Sequence, residues 1–277
     1  MKTLTFALSL IRQSRQQNIM QSKHVHVGET QYNKDGLLQG QAIDSPLSES
    51  GLQQAEAAGC YLKDVEFSNV FSSNMLRAQQ TAETIMKHNR SCYGLQLVCD
   101  ALLKEKSFGI AEGRPVQDVR EMAEAAGQSF PGFTPPKGET QEQVTQRVKE
   151  FLEKTLQQIG AEHWRDRGEE DETSSSSSSD PLSTSLAEGR ADEGVRGVPV
   201  HALVVTHGAY MCVAVRFLVE ELGCSLPPGT DKEHVFALSP NTGLSRFLLT
   251  VRRAEGRFAL SAIRCVFVHR KGGDVQK

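Results

Sequence analysis

The sequence predicts an α/β fold: a mostly parallel sheet with helices on both faces and a C-terminal antiparallel hairpin. Three observations carry that reading. Short apolar runs alternate with longer amphipathic segments, the rhythm of strands joined by crossover helices. The run Ala202 to Val205 is continuously apolar, as strands covered on both faces are. Two runs near the C-terminus flank Ala254-Glu255-Gly256, residues suited to a tight turn.

The elements follow in order. Thr5 to Ile11 reads as a first strand. Leu52, Ala55, Gly59 and Leu62 share one face of a helix over 49–63. Asn69 to Ser72 is a short strand and Met75 to His88 a helix. Leu95 to Cys99 is another strand. Gly138-Glu139-Thr140 opens a long amphipathic helix that runs to about 160. The strand Ala202 to Val205 leads into a nearly all-apolar helix, Ala209 to Leu222, which Gly223 stops. Phe247 to Arg252 and Phe258 to Val268 are the hairpin strands. No internal repeat is visible, and residues 1–277 read as one domain.

Composition narrows the function. With 38% hydrophobic residues the chain can fill one sizeable core, which excludes collagen-like and fully disordered classes. A net charge of -3 and a pI near 6.3 argue against a nucleic-acid binder. Six cysteines without a CxxC pair read as reduced thiols in a cytosolic protein. The apolar run 3–11 is short, lacks an A-x-A site and is closed by Arg12, which argues against a signal sequence and for a buried first strand. No run reaches the ~20 residues that cross a bilayer. A cytoplasmic location is expected, with mitochondrial or nuclear pools open, because Lys2, Arg12, Arg15 and Lys23 all precede the first acid, Glu29. Protein partners leave no readable mark.

Residues 165–197 stand apart. They hold nine acids, four arginines, no aromatic residue and the six serines Ser174 to Ser179. Such a segment buries too little apolar area to offset its ordering entropy, and is expected to be a disordered loop. Acids around the serines leave phosphorylation open beside a plain solvated spacer.

Four short stretches carry chemistry. In Val204-Val205-Thr206-His207-Gly208-Ala209 a strand runs through His207 into a helix N-terminus, a place that favours an anion. In Phe71 to Ala82 a strand ends in small polar residues, and Arg77 follows in the first helical turn with a fork suited to phosphate. Lys104-Glu105-Lys106-Ser107-Phe108-Gly109 sets one carboxylate between two lysines, where a bound phosphate would raise its pKa and make it an acid. The fourth stretch runs from Gly28-Glu29-Thr30-Gln31-Tyr32-Asn33 through Gln39-Gly40 to Gly51.

Together these stretches resemble the histidine phosphatase (phosphoglycerate mutase-like) superfamily, and within it the TIGAR-type fructose-2,6-bisphosphatases. GETQYNK, LLQGQAID, FTPPKGET, VVTHGAY, CSLP at 224–227 and SPNTG at 239–243 carry the likeness. The resemblance implies a phosphohistidine intermediate and fructose 2,6-bisphosphate as the phosphorylated sugar substrate, and so a restraint on glycolysis. It implies no cofactor and no metal, since arginines and imidazole neutralise the phosphoryl oxygens. It assigns phosphate clamping to Arg12 and Arg77, charge stabilisation to His207 and proton transfer to Glu105. Asn33 and the backbone at Gly208 would complete the pocket. A mutase needs the same pocket and stays open beside a phosphatase.

One departure matters. Members of the family run from the first strand directly into Arg-His-Gly-Glu-Thr, the histidine being the nucleophile. Here Gln13 to Val27 follow Arg12, so that an atypical insertion over 13–27 separates it from Gly28-Glu29-Thr30. Val27 occupies the position of the nucleophile. A splice or exon-boundary change and a non-catalytic binding module are the two accounts of this. His24 and His26 share one face if the segment is extended. By that alternation His26 is expected to point away from the nucleophile's side.

Overall fold

The structure, a computed structural model, describes residues 17–128, 130, 132–164, 198 and 200–271. The expected strand at 5–11, Arg12 and the acidic segment 165–197 lie outside the described residues.

Six strands form one sheet: β1 (Gln17–His26), β2 (Asn69–Ser73), β3 (Leu97–Asp100), β4 (Val200–Thr206), β5 (Leu244–Ala254) and β6 (Arg257–Arg270). Their order is β3-β2-β4-β1-β5-β6. The neighbours among β3, β2, β4 and β1 pair in parallel, while β5 runs antiparallel to both β1 and β6. The architecture agrees with the expected fold class. Glu255 and Gly256 close the hairpin with φ of 51° and 77°, the paired positive angles of a type I′ turn.

The helices are α1 (Gln31–Lys34), α2 (Glu49–Tyr61), α3 (Leu76–His88), α4 (Val116–Ala125), α5 (Gln141–His163), α6 (Gly208–Arg216) and α7 (Lys232–Val235). α2 and α3 cover one face of the sheet, burying Ala58, Ala78, Ala82 and Ile85 against Val70, Leu203 and Val205. α5 and α6 cover the other, where Val148, Phe151 and Tyr210 meet Phe71, Val204 and Phe247. Full burial of a side chain such as Ile85 or Leu203 contributes about 1.5–3 kcal/mol. The long helix starts where its motif placed it. Thr140 caps α5 in a reciprocal capping box with Gln143. The apolar helix after β4 continues from α6 as a π-turn, Phe217–Glu221, and ends at Gly223 with φ 65°.

β1 corrects the sequence reading. Ten of the residues assigned to the insertion form a strand in the middle of the sheet, between β4 and β5. Its sequence, QNIMQSKHVH, gives little apolar signal. Gln21 and Lys23 are nonetheless fully buried. The Gln21 carbonyl oxygen accepts from Nε and Nη2 of Arg246 on β5, at 2.9 and 2.7 Å. Backbone pairing on both sides secures the strand, and its alternation sorts the side chains. Val25 joins the α2–α3 core and Met20 the α5–α6 core.

Candidate active site

Four elements converge at the C-terminal ends of β1, β2 and β4. β4 ends at Thr206, and His207 is the N-cap of α6. His207 is 1% exposed, and its Nε2 lies 2.9 Å from Oγ of Ser73 at the end of β2. Its Nδ1 is buried without a hydrogen-bond partner among the described residues. Burial and the nearby Arg77 hold this imidazole well below the usual histidine pKa, so it is neutral at pH 7.

The N-terminus of α6 is already occupied by a carboxyl group from within the chain. Oε1 of Glu105 accepts from the amides of Tyr210 and Lys106 at 2.9 and 2.8 Å, and Oε2 accepts from Ala209 at 3.2 Å. The anion-favouring geometry expected at His207-Gly208 is therefore filled from within the chain by the carboxylate expected to act as acid. Glu105 is 7% exposed. Burial raises its pKa, against the opposing pull of the Lys106 amide and Arg77. The cause of the raised pKa is burial away from water, present before any phosphate binds.

Arg77 sits in the first turn of α3 and is 3% exposed. It donates through Nη1 to the Ile43 carbonyl at 3.1 Å and through Nη2 to the Gly40 carbonyl at 3.2 Å. Burial lowers its pKa, with Glu105, Asp44 and Glu112 opposing. A guanidinium keeps its charge in such a setting. Asn33 belongs to the capping box of α1, its Oδ1 accepting from the Thr30 amide at 3.1 Å.

A cavity of about 280 Å³ opens over this cluster, lined by His26, Asn33, Glu105, Lys106 and Gly208 among others. Arg77 and His207 are buried and are not among the lining residues. His26 is the residue that sequence reasoning turned the wrong way. Val27, not His26, faces the core: it is 3% exposed and packs with Val25, Leu62 and Val205. Strand alternation then sends His26 to the cavity side. His24 lines a separate apolar cavity with Val148, Phe151 and Phe247. Arg12, expected as a second phosphate clamp, lies outside the described residues.

Three supporting residues were not read from the sequence as parts of the site. Glu112 accepts from the amides of Ala42 and Phe108 at 2.7 and 2.9 Å, joining the two loops that carry Gly40 and Glu105. Glu139 accepts from the Ser107 amide at 2.8 Å and pairs with Arg147. Arg147 also donates to the carbonyls of Leu102 and Lys104 at 2.7 and 2.9 Å. Glu139 lies within FTPPKGET, so its motif was visible even though its partner was not.

All six cysteines are unpaired. Among the described residues no helix is long and apolar enough to cross a membrane, and no group of three or more His, Cys, Asp or Glu side chains is placed to hold a metal ion.

Residues 26–165 match the histidine phosphatase superfamily (branch 1). The probable fructose-2,6-bisphosphatase TIGAR A of Danio rerio is 54% identical over 247 residues, covering 89% of this chain and 94% of its own. The fructose-2,6-bisphosphatase TIGAR B of Danio rerio is 47% identical over 268 residues, covering 97% and 96%. A phosphoglycerate mutase from Bacillus anthracis str. Sterne shares the fold, with a TM-score of 0.60 at 21% identity, covering 90% of this chain and 94% of that one. An imidazole, a guanidinium and a buried carboxyl gathered at one sheet edge agree with these likenesses, and the chain belongs to the histidine phosphatase superfamily.

Proposed function

We propose that this chain is a phosphatase that hydrolyses fructose 2,6-bisphosphate, and so restrains glycolysis. Small phosphorylated sugars are the substrate class. The observation that carries the reading is Glu105, a buried carboxyl with a raised pKa that lines the same cavity as Asn33 and Gly208, backed by Arg77 and His207. A carboxyl that holds its proton can protonate a leaving alkoxide, and its conjugate base can activate water. Arg77 supplies positive charge for the phosphoryl oxygens, with Arg12 as a second clamp. His207, with an unpartnered Nδ1, steadies the transferring group. Asn33 and the backbone at Gly208 complete the pocket. The relatives named fructose-2,6-bisphosphatase, at 54% and 47% identity, support the choice of substrate.

The test is phosphate release from fructose 2,6-bisphosphate by the full 277-residue chain, with 3-phosphoglycerate assayed beside it. Stoichiometric inorganic phosphate from the sugar is expected. Isomer formation from phosphoglycerate without release would replace the phosphatase by a mutase. A folded protein that releases no phosphate would overturn the reading.

A further inference from the structure

We propose that His26 is the phosphoryl acceptor of this chain, taking the role that Val27 cannot fill. The inference rests on the phosphatase reading above. A nucleophilic imidazole needs a free ring nitrogen at the substrate cavity, the correct tautomer and a fixed orientation. His26 meets all three.

The first is place. Of the residues lining the cavity with Glu105 and Gly208, His26 is the single imidazole. A Cβ built on Gly208 would lie 2.9 Å from Nε2 of His26, which sets that nitrogen against the first residue of α6. Nε2 has no hydrogen-bond partner among the described residues. The other imidazoles nearby are occupied or turned elsewhere. His207 is buried, with Nε2 on Ser73, and Nε2 of His24 lies 2.9 Å from Oγ of Ser22.

The second is tautomer. Nδ1 of His26 lies 3.1 Å from the carbonyl oxygen of Pro240. A carbonyl can only accept, so Nδ1 carries the proton. Burial lowers the pKa to about 4, with Arg77 also lowering it and the Pro240 bond opposing. The ring is neutral at pH 7, and Nε2 presents a lone pair.

The third is orientation. The His26 amide donates to the Gly243 carbonyl at 3.0 Å, and the Thr242 amide donates to the Val27 carbonyl at 3.2 Å. The SPNTG segment at 239–243 thus grips both the ring and the backbone of His26. β1 and β4 fix the strand itself, pairing His26 with Thr206. A group held in this way loses little freedom on reaching its target.

The chemistry balances. Nε2 attacks phosphorus, the N–P bond forms and the P–O ester bond breaks. The leaving alkoxide takes the proton of the Glu105 carboxyl. Glu105, now a carboxylate, removes a proton from water as the water oxygen attacks phosphorus. The N–P bond breaks, its electron pair returns to Nε2, and inorganic phosphate leaves. Glu105 ends protonated, as it was in the complex with the phosphorylated substrate.

The experiment uses the full chain, a His26→Asn variant and a His24→Gln variant. Asparagine keeps a donor for the Pro240 carbonyl and removes the nucleophile. Phosphate release from fructose 2,6-bisphosphate and from p-nitrophenyl phosphate is measured beside the thermal midpoint. We expect His26→Asn to lose at least about 100-fold in rate with its fold kept, and His24→Gln to retain the rate. In parallel, orthovanadate is added to the unsubstituted, 15N-histidine-labelled protein. A nitrogen shift at Nε2 of His26 is expected, whether or not the sugar is turned over. Turnover that survives His26→Asn, or vanadate that leaves the Nε2 signal of His26 unmoved, overturns the inference while the phosphatase reading stands. A vanadate shift at His26, with p-nitrophenyl phosphate but not the sugar hydrolysed, supports the inference and overturns the assigned substrate.

Discussion

Arg147 and Glu139 meet in a bidentate pair, Nε to Oε1 at 2.9 Å and Nη2 to Oε2 at 2.9 Å. Both side chains are largely buried, 16% and 20% exposed. The pair spans the loop that carries Glu105, because Glu139 also holds the Ser107 amide and Arg147 the Lys104 carbonyl. Replacing Arg147 by alanine frees that loop and leaves a charged partner poorly solvated. A stability loss of about 2 kcal/mol is expected from the lost charged hydrogen bonds. The rate should fall while KM changes little, since substrate does not touch Arg147. Urea unfolding and steady-state kinetics on one preparation check both; an unaltered kcat would show that the clamp is structural only.

Glu105→Gln separates proton transfer from shape. Glutamine is nearly isosteric, but it neither gives nor takes the required proton. The rate should fall roughly 100- to 10,000-fold. The pH profile gives a sharper sign. Burial raises the pKa of Glu105, so its acid form persists to higher pH than in an exposed glutamate. Activity should decline as pH rises through that raised value, and this limb should vanish in Glu105→Gln. Persistence of the limb would assign it to another group.

Acid should unfold the protein through its histidines. Burial lowers the pKa of both His24 and His26 from 6.5 to about 4. Between those values the unfolded chain holds protons that the folded chain lacks. The stability these rings contribute is complete above pH 6.5 and is lost as pH falls toward 4. Each ring contributes up to about 1.4 kcal/mol per pH unit across that window. His24→Gln keeps a partner for Ser22 and removes one titrating ring. Unfolding midpoints in urea at pH 7, 6 and 5 should therefore lie closer together in the variant than in the unsubstituted chain, the remaining spread belonging to His26 and His207; an unchanged spread would mean that His24 is not a sensor.

Much of this was legible in the sequence. The helix from Gln141 was announced by Gly138-Glu139-Thr140, and the hairpin by Ala254-Glu255-Gly256. His207 and Arg77 each followed a strand end, where α/β sheets collect their chemistry, and Glu105 stood out between two lysines. β1 was not legible, because pattern reading expects apolar side chains in a central strand. Gln21 and Lys23 occupy the interior instead, with Gln21 held by Arg246 from the neighbouring strand, and no local signal announces a partner more than 200 residues away. The side chain of His26 was misjudged because the motif position was assumed to face the cavity. Val27 holds that position, and the α2–α3 core claims it. Glu112 and Glu139 act through backbone amides of distant loops, which spacing along the chain does not reveal.

The carboxylate lodged at the start of α6 ties ligand affinity to solution acidity. A phosphate dianion entering the cavity meets Glu105 before any bond is made, and two like charges raise each other's proton affinity. Binding should therefore draw a proton from the medium. The heat of binding a non-hydrolysable phosphate would then depend on the ionisation enthalpy of the buffer, and affinity would increase toward acid. The cavity would thus select its ligand jointly with a proton.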